Sequence, residues 1–554
     1  MVTDAVAHGT VAYWIGAALA RDAGVKTVFG VVGSGNFHLA NALTEHGARF
    51  VPARHEGGAA VMADAYARVS GELGVLTVHQ GPGLTNALTG LAEAAKSRTP
   101  LLVLAAEATQ RTSNFYIDQA GLAAAVGVLP DRVTAASTVA NDLRRAYRTA
   151  LIERRTVLLS LPLDVQAQPH PDVPMPAVQV WPRLSPAPET VEQVADALSR
   201  AQRPVFLAGR GARKAKEDLK RLSERVGALL ATSAVSRGLF NGDPFNLDVS
   251  GGFATPAAAE LIGDADLIIA WGCALSAWTT RHGTLIREDA TVIQVDANPG
   301  ALGVHHRIDL GIPSDVAMAA RALITEFDRR GQRREGYRSQ AVVKRLAAER
   351  RWRDVPFAPE AEDGRIDPRT LTIALDDLLP AERTVATDSG NFMGYPAMFL
   401  DVPDENGFVF TQAFQSVGLG LGSALGAAIA RPDRLTVAAL GDGGALMGAS
   451  ELETAVRLRL GDLLIVVYDD EAYGAEVHHF GPQGDSLANV TFPPADLAAI
   501  ARGHGYAAVT VAAPEDLAPV KSWLAGPRDR PMLIDAKVTR GAPAWWLEEA
   551  FKGH

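Results

Sequence analysis

The chain has 554 residues, 47% hydrophobic and 21% charged, an ordinary globular balance in a length that exceeds one hydrophobic core and calls for about three domains. A formal net charge of −10 argues against a nucleic-acid partner, because phosphate binding needs a concentrated basic face. The single cysteine, Cys273, excludes an internal disulfide framework and suits a reducing compartment.

The start, Met1-Val2-Thr3-Asp4, lacks the charged-then-apolar layout of a secretion signal. No uncharged apolar run is long enough to cross a bilayer, so the expectation is a cytoplasmic protein with no membrane partner.

In chain order, Val28–Val32, Leu73–His79 and Pro100–Ala105 read as buried strands, each followed by a helix. That rhythm is the signature of parallel α/β sheets. Ser34 and Asn36 lie in the strand-to-loop passage after Val32, and His79 ends the second strand. Between these strands, Phe50–Ala60 places Glu56 after a strand and at the start of a glycine- and alanine-rich helix. An acid there is explained by the helix dipole alone, and a histidine at a strand end is as readily structural. From Leu161 to Pro188 prolines crowd the chain, the composition of an extended linker.

The middle region carries Pro204–Gly211 and Val292–Asp296. Strand followed by glycine turn is what a nucleotide-binding sheet uses at its phosphate end. Any tight strand-to-helix connection uses it too, so a bound FAD or other nucleotide does not follow from it. Cys273 comes after the apolar run Leu267–Gly272, where a small buried residue is expected. From Phe327 to Pro368 the chain is charged, basic through Arg353 and acidic from Glu360; the basic part reads as a solvated helix. Three α/β units follow, at 1–165, 188–326 and 369–554.

In the last unit the apolar stretch Val417–Ala430 is dense in glycine and alanine and reads as a buried turn and helix. Next, a strand over Leu435–Leu440 delivers Gly441-Asp442-Gly443-Gly444. Glycines there let main-chain N–H groups approach a phosphate, and Asp442 can hold a hard cation that neutralises it. A second strand, Leu463–Tyr468, ends at Asp469-Asp470-Glu471-Ala472-Tyr473-Gly474. Acidic ends of adjacent parallel strands can share one metal, although Asp469 and Asp470 taken alone can equally cap a turn.

Gly441-Asp442-Gly443, followed at Asp469-Asp470 and Ala472–Ala475, resembles the cofactor motif of the thiamine diphosphate enzymes related to pyruvate decarboxylase, benzoylformate decarboxylase and acetolactate synthase. The resemblance covers essentially the whole chain. It implies an α/β protein of three domains with parallel sheets flanked by helices, in the order pyrimidine-binding, middle, diphosphate-binding. It further implies that Asp442, Asp470 and the Ala472 carbonyl hold Mg2+. The family has an asparagine pair where this chain has Asp469-Asp470, and the spacing from Asp442 is slightly longer than usual, which makes Asp469 the reserve ligand.

Ser389, Gly390 and Asn391 match a segment that touches the diphosphate in relatives, and Gly441, Gly443, Gly444, Tyr473 and Gly474 complete that cradle. Val417 falls where a bulky apolar residue wedges between the cofactor's rings; valine is a small choice. Arg54-His55-Glu56 followed by Ala63–Arg68 matches the family's activating glutamate, which serves the cofactor of a partner subunit. A homodimer is therefore the minimum and a homotetramer the common assembly.

Ser34 and His79 match benzoylformate decarboxylase, Gln119 the pocket glutamine of acetolactate synthase and benzaldehyde lyase, and Glu476 the catalytic glutamate of pyruvate decarboxylase. The implied activity is a 2-oxo acid decarboxylase or carboligase working through a C2 carbanion and an enamine on small 2-oxo acids or aldehydes. An acetolactate synthase-like or benzaldehyde lyase-like ligase is the chief alternative. The altered aspartate pair keeps open a non-catalytic cofactor binder, and the middle unit a nucleotide-dependent oxidoreductase. The tail Ala542–Leu547 reads equally as a pocket lid or as apolar packing.

Overall fold

The computed structural model describes residues 9–179, 181–541 and 543–547; Met1–Asp4 and Ala542 lie outside them. Three six-stranded sheets follow one another along the chain. The first holds β1 (Thr27–Gly30), β2 (Arg49–Pro52), β3 (Gly74–Val78), β4 (Leu101–Glu107), β5 (Leu129–Arg132) and β6 (Thr156–Pro162). The second holds β7 (Pro204–Ala208), β8 (Leu229–Thr232), β9 (Asn246–Val249), β10 (Leu267–Trp271), β11 (Thr291–Asp296) and β12 (Leu310–Pro313). The third holds β13 (Arg383–Thr387), β14 (Phe408–Phe410), β15 (Leu435–Gly441), β16 (Leu463–Asp469), β17 (Ala507–Val511) and β18 (Met532–Lys537).

Every pairing among them is parallel. Central strands such as β3, β10 and β16 are buried along their whole length. Strands covered on both faces need near-continuous apolar runs, which is why the sequence reads as unbroken rather than alternating hydrophobic segments there.

The outer sheets share one strand order, β2-β1-β3-β4-β6-β5 and β14-β13-β15-β16-β18-β17, while the middle sheet runs β12-β11-β10-β7-β8-β9. Where the order reverses, crossover helices leave in opposite directions and a crevice opens beyond the carboxyl ends of the two strands. That point lies between β1 and β3 in the first sheet and between β13 and β15 in the third.

A seam of small residues joins the outer domains. Helix Gly420–Ala430 packs on helix Glu56–Ser70 within one core that includes Ala59, Ala63, Leu421, Ala424 and Ala427. Gly426 faces the main chain of Met62, so the two helices approach to a distance that only glycine permits. Glu451 reinforces the seam by accepting the N–H groups of Arg54 (3.2 Å) and His55 (3.0 Å). Arg237 ties the middle domain to the third by donating to the carbonyls of Ala397 and Leu400.

After a short helix, Leu163–Gln166, the described residues form no further helix or strand before Pro188. It lies along the first domain, with Trp14 Nε1 donating to the Val173 carbonyl at 2.7 Å. The basic region does not form one solvated helix. Helix Val316–Arg330 stops at Gly331, whose φ of 63° no ordinary helix residue adopts, and a second helix spans Gln340–Glu349. Arg338 between them stacks over Phe245 at 4.5 Å and donates to the Ala228 carbonyl, an engagement that charge counting does not reveal. Phe327, Val342 and Leu346 pack into the cores of the middle domain. Among the described residues no helix is long and apolar enough to cross a membrane.

Candidate active site

Two polar clusters sit at the reversal points of the outer sheets. In the first, His79 directly follows β3, and its Nδ1 accepts the Gly35 N–H at 3.2 Å. A neutral ring accepting there carries its proton on Nε2. Burial lowers the imidazole pKa and nearby Glu56 partly offsets this. Gly33 must be glycine, since a Cβ would stand 2.7 Å from the ring. Phe115 closes the other side edge-on at 5.1 Å. Ser34 is exposed in the same loop. Asn36 is instead structural: its Oδ1 accepts the Gly33 N–H, and its amide donates to the Val31 carbonyl and Thr77 Oγ1.

Glu56 opens its helix half-buried, behind a His55 cap. Asn86, one turn into the helix after β3, donates its amide to Glu56 Oε2 at 3.0 Å, which fixes the carboxylate. Gln119 is buried; its amide donates to the Ala106 carbonyl at 2.9 Å while its Oε1 lacks a protein partner. Gln80, buried against Gly35, has the same orphaned Oε1. A buried acceptor without a partner costs about 1–3 kcal/mol, so two of them in one cluster suit a ligand that donates.

In the third sheet, Asp388 follows β13 and is fully buried. Its carboxylate accepts N–H groups from Ser389 (2.8 Å), Gly418 (3.0 Å) and Leu419 (3.2 Å). Burial nevertheless pushes its pKa up to about 6. Asp388 thereby gathers the turn holding Ser389, Gly390 and Asn391 and the loop holding Val417. Gly390 has φ 143°, and the Asn391 Oδ1 is buried without a partner. A Cβ on Gly444 would strike Asp388, one on Gly443 would meet Tyr473 at 2.8 Å, and one on Gly474 would strike Asp470 and approach Asn391. Gly441 ends β15 beside Phe392. Val417 is 39% exposed beside Gly444.

The two adjacent aspartates differ in partners. Asp469 ion-pairs with Lys537, which also holds Asp535 at 3.2 Å, and accepts the Glu471 N–H at 3.0 Å. Asp470 has the Ala472 N–H at 3.2 Å and no basic residue against it among the described ion pairs. Burial first, then Asp442, pushes the Asp470 carboxyl up to about 7; burial and then Asp469 push Asp442 up to about 6. Two carboxylates in such proximity ionise together only beside a positive charge. Among the described residues no three His, Cys, Asp or Glu side chains converge on one point. Two neighbouring carboxylates fit magnesium, which completes its shell with phosphate oxygens and water. Glu476 lies half-buried on the following helix, Gly474–Phe480.

Three residues outside the motifs matter here. Asn86 orients Glu56, Glu451 holds the main chain next to it, and Gln80 offers a free acceptor. Gln80 directly follows His79 and Asn86 lies seven residues beyond it, but their roles depend on side-chain direction. Glu451 acts across 396 residues from His55, beyond any local signal. The tail does not serve as a lid over its described part: Trp546 is 1% exposed, stands against Gly394 and donates to the Asn391 carbonyl at 3.1 Å. In the middle domain, Gly209 and Gly211 stand against the main chain of Gly272, so close packing accounts for that glycine turn.

Three parallel α/β domains, the outer two with polar clusters at matching reversal points, define a multidomain α/β protein with two candidate ligand-binding crevices. Residues 10–126 match the N-terminal thiamine pyrophosphate-binding domain of thiamine pyrophosphate enzymes, 191–323 their central domain, and 388–536 their C-terminal thiamine pyrophosphate-binding domain. A probable 2-ketoarginine decarboxylase of Pseudomonas aeruginosa is 30% identical over 81% of this chain and 80% of its own length. A sulfoacetaldehyde acetyltransferase of Rhodobacter capsulatus is 28% identical over 82% and 81%, and a catabolic acetolactate synthase of Raoultella terrigena 28% over 90% and 89%. The chain belongs to the thiamine pyrophosphate enzyme family and is a thiamine diphosphate-dependent enzyme.

Proposed function

We propose that this enzyme decarboxylates a small 2-oxo acid and passes the remaining fragment to a proton or to a second carbonyl compound. The observation that carries the reading is Glu56, a carboxylate at a helix start that Asn86 holds in place at 3.0 Å. Thiamine diphosphate, when bound, supplies a ring carbon that adds to a carbonyl and takes up the electrons left as carbon dioxide departs.

Asp442, Asp470 and the Ala472 carbonyl would hold Mg2+, with Asp469 set aside by its Lys537 pair. Ser389, Gly390, Asn391, Gly441, Gly443, Gly444, Tyr473 and Gly474 would cradle the diphosphate, and Val417 would offer the cofactor an apolar contact. Glu56 presents its carboxyl to the pyrimidine of a cofactor seated on a second copy of the chain, making a homodimer the smallest competent unit and a homotetramer the expected one. His79 would hold a proton on Nε2 for the product, Ser34 would bind the substrate carboxylate, and Glu476 would move a second proton.

Ligation is a second reading, favoured by the partnerless Gln119 Oε1, which would accept a hydroxyl of the second substrate or product. The relatives named above include both decarboxylation and acetyl or acetolactate chemistry in their names, which supports the shared first step.

The test supplies thiamine diphosphate, Mg2+ and 2-oxo acids from pyruvate to branched, aromatic and guanidino-bearing ones. Carbon dioxide release is expected; free aldehyde marks protonation, and a hydroxyketone or acetolactate marks ligation. Glu56→Gln should lower turnover by about 10²–10⁴-fold with the cofactor still bound. Unchanged turnover removes the role of Glu56, and no carbon dioxide from any acid removes the decarboxylase reading.

A further inference from the structure

We propose that Arg365 is a positioning residue for the cation-binding loop, reaching into it from the segment that joins the middle and third domains and acting through Glu471. The proposal rests on the reading of Asp442 and Asp470 as cation ligands.

β16 and β18 run in register as far as Asp469 and Lys537, and one more rung follows, from the Val538 N–H to the Asp469 carbonyl at 3.0 Å. Arg365 enters where this ladder runs out. One guanidinium nitrogen donates to the carbonyls of both Asp469 (3.2 Å) and Val538 (3.0 Å), and another pairs with Glu471 at 2.6 Å. The side chains are 9% and 14% exposed, well short of the solvent screening that makes most surface pairs weak. Ile366 seats the arginine: its N–H bonds the Lys537 carbonyl at 2.8 Å, and its own carbonyl takes the Thr539 N–H at 3.1 Å.

Glu471 is the residue between the two ligand positions, and its φ is +57°. A non-glycine residue persists there only when its surroundings impose it. Around this carboxylate stand Arg365 and, at 3.3 Å, Arg540; Arg540 pairs with Glu362 at 2.6 Å, and Glu362 returns to Arg365 at 3.3 Å. Four charges thus close a ring on the loop. The opposite edge is held by main-chain bonds, Phe492 N–H to the Glu471 carbonyl and Tyr473 N–H to the Val490 carbonyl, both 2.8 Å. The dihedral at Glu471 sets the direction in which the Asp470 side chain and the Ala472 carbonyl leave the main chain relative to each other. Holding that dihedral therefore holds the geometry of the pair.

The test titrates Mg2+ into the intact protein with thiamine diphosphate present and follows tryptophan fluorescence. Arg365→Met removes the ion pair and both carbonyl bonds, whereas Arg365→Lys keeps a charge beside Glu471. The Mg2+ concentration at half-saturation should rise about tenfold or more in Arg365→Met and less in Arg365→Lys, with excess Mg2+ restoring the full amplitude. A contribution to stability alone lowers the thermal midpoint and leaves half-saturation unmoved; that result overturns the proposal. If Arg365→Met does not fold, Glu471→Gln carries the same titration, and an unchanged half-saturation there overturns it equally. An unmodified protein that binds the cofactor with no dependence on any divalent cation removes the Asp442–Asp470 reading, and this proposal with it.

Discussion

Neighbouring residues of one type can be set in opposite electrostatic surroundings, and Asp469 and Asp470 are. Lys537 neutralises the first, while the second faces Asp442 and is held up to about 7. Cys273 is another residue whose chemistry is set by its surroundings. It is 3% exposed, and burial pushes its thiol pKa up to about 11. The thiolate is the reactive form, so the folded protein at pH 8 should not react with a disulfide reagent, and the urea-unfolded chain should release one equivalent. Because the folded pKa lies above the unfolded one, this group's stabilisation is complete below about pH 8.5 and is lost as pH rises from there to about 11. Denaturant midpoints measured across that range should fall more steeply in the native sequence than in Cys273→Ala. Asp442 and the aspartate pair are legible in the sequence because strand, glycine and acid recur in a fixed local order. The duties of Asn86 and Glu451 are not, because a side chain 30 or 396 positions away from its partner leaves no periodic trace.

Among elements, the glycine- and alanine-rich helix Gly420–Ala430 shows what composition alone conveys. Its burial can be read from the sequence; the helix it meets cannot. Adding a methyl group tests the contact. In an exposed helix Gly→Ala stabilises by about 1 kcal/mol, and Gly503, where an added Cβ would have nothing within 4 Å, should behave that way. Gly426→Ala places a carbon 2.9 Å from main-chain atoms of Met62, which cannot rotate aside, so a loss of about 1–3 kcal/mol is expected. Urea denaturation of both variants reads the opposite signs; equal signs would show that the seam yields. The basic segment around Arg338 reads in sequence as one solvated helix because charge pattern reports exposure on average, whereas a guanidinium can lay its flat face on an aromatic ring and remain paired.

At the scale of the whole molecule, the repeated strand order of the outer sheets places both polar clusters at equivalent crevices. The rhythm of strands and helices announces parallel sheets, but strand order depends on which way each crossover turns, and local sequence does not state that. Large apolar side chains stand exposed near both crevices: Phe37 (50%), at a helix start, and Phe115 (41%), on a loop, in the first domain, and Leu446 (47%) and Met447 (57%), at a helix end, in the third. Exposed apolar side chains of this size are what the proposed dimer would cover. Light scattering should return at least twice the 58.5 kDa chain mass, and Met447→Asp should shift the population toward single chains and weaken cofactor binding in parallel. A monomer that binds the cofactor at full affinity would contradict the shared-site reading.

The seam between helices Glu56–Ser70 and Gly420–Ala430 also bears on how the protein is made. Arg54 emerges from the ribosome 397 residues ahead of its partner Glu451. At translation speeds of about 5–20 residues per second, the apolar flank of the earlier helix waits on the order of 20–80 s for its cover. Messages truncated before the third domain should therefore yield aggregates instead of a free-standing fragment.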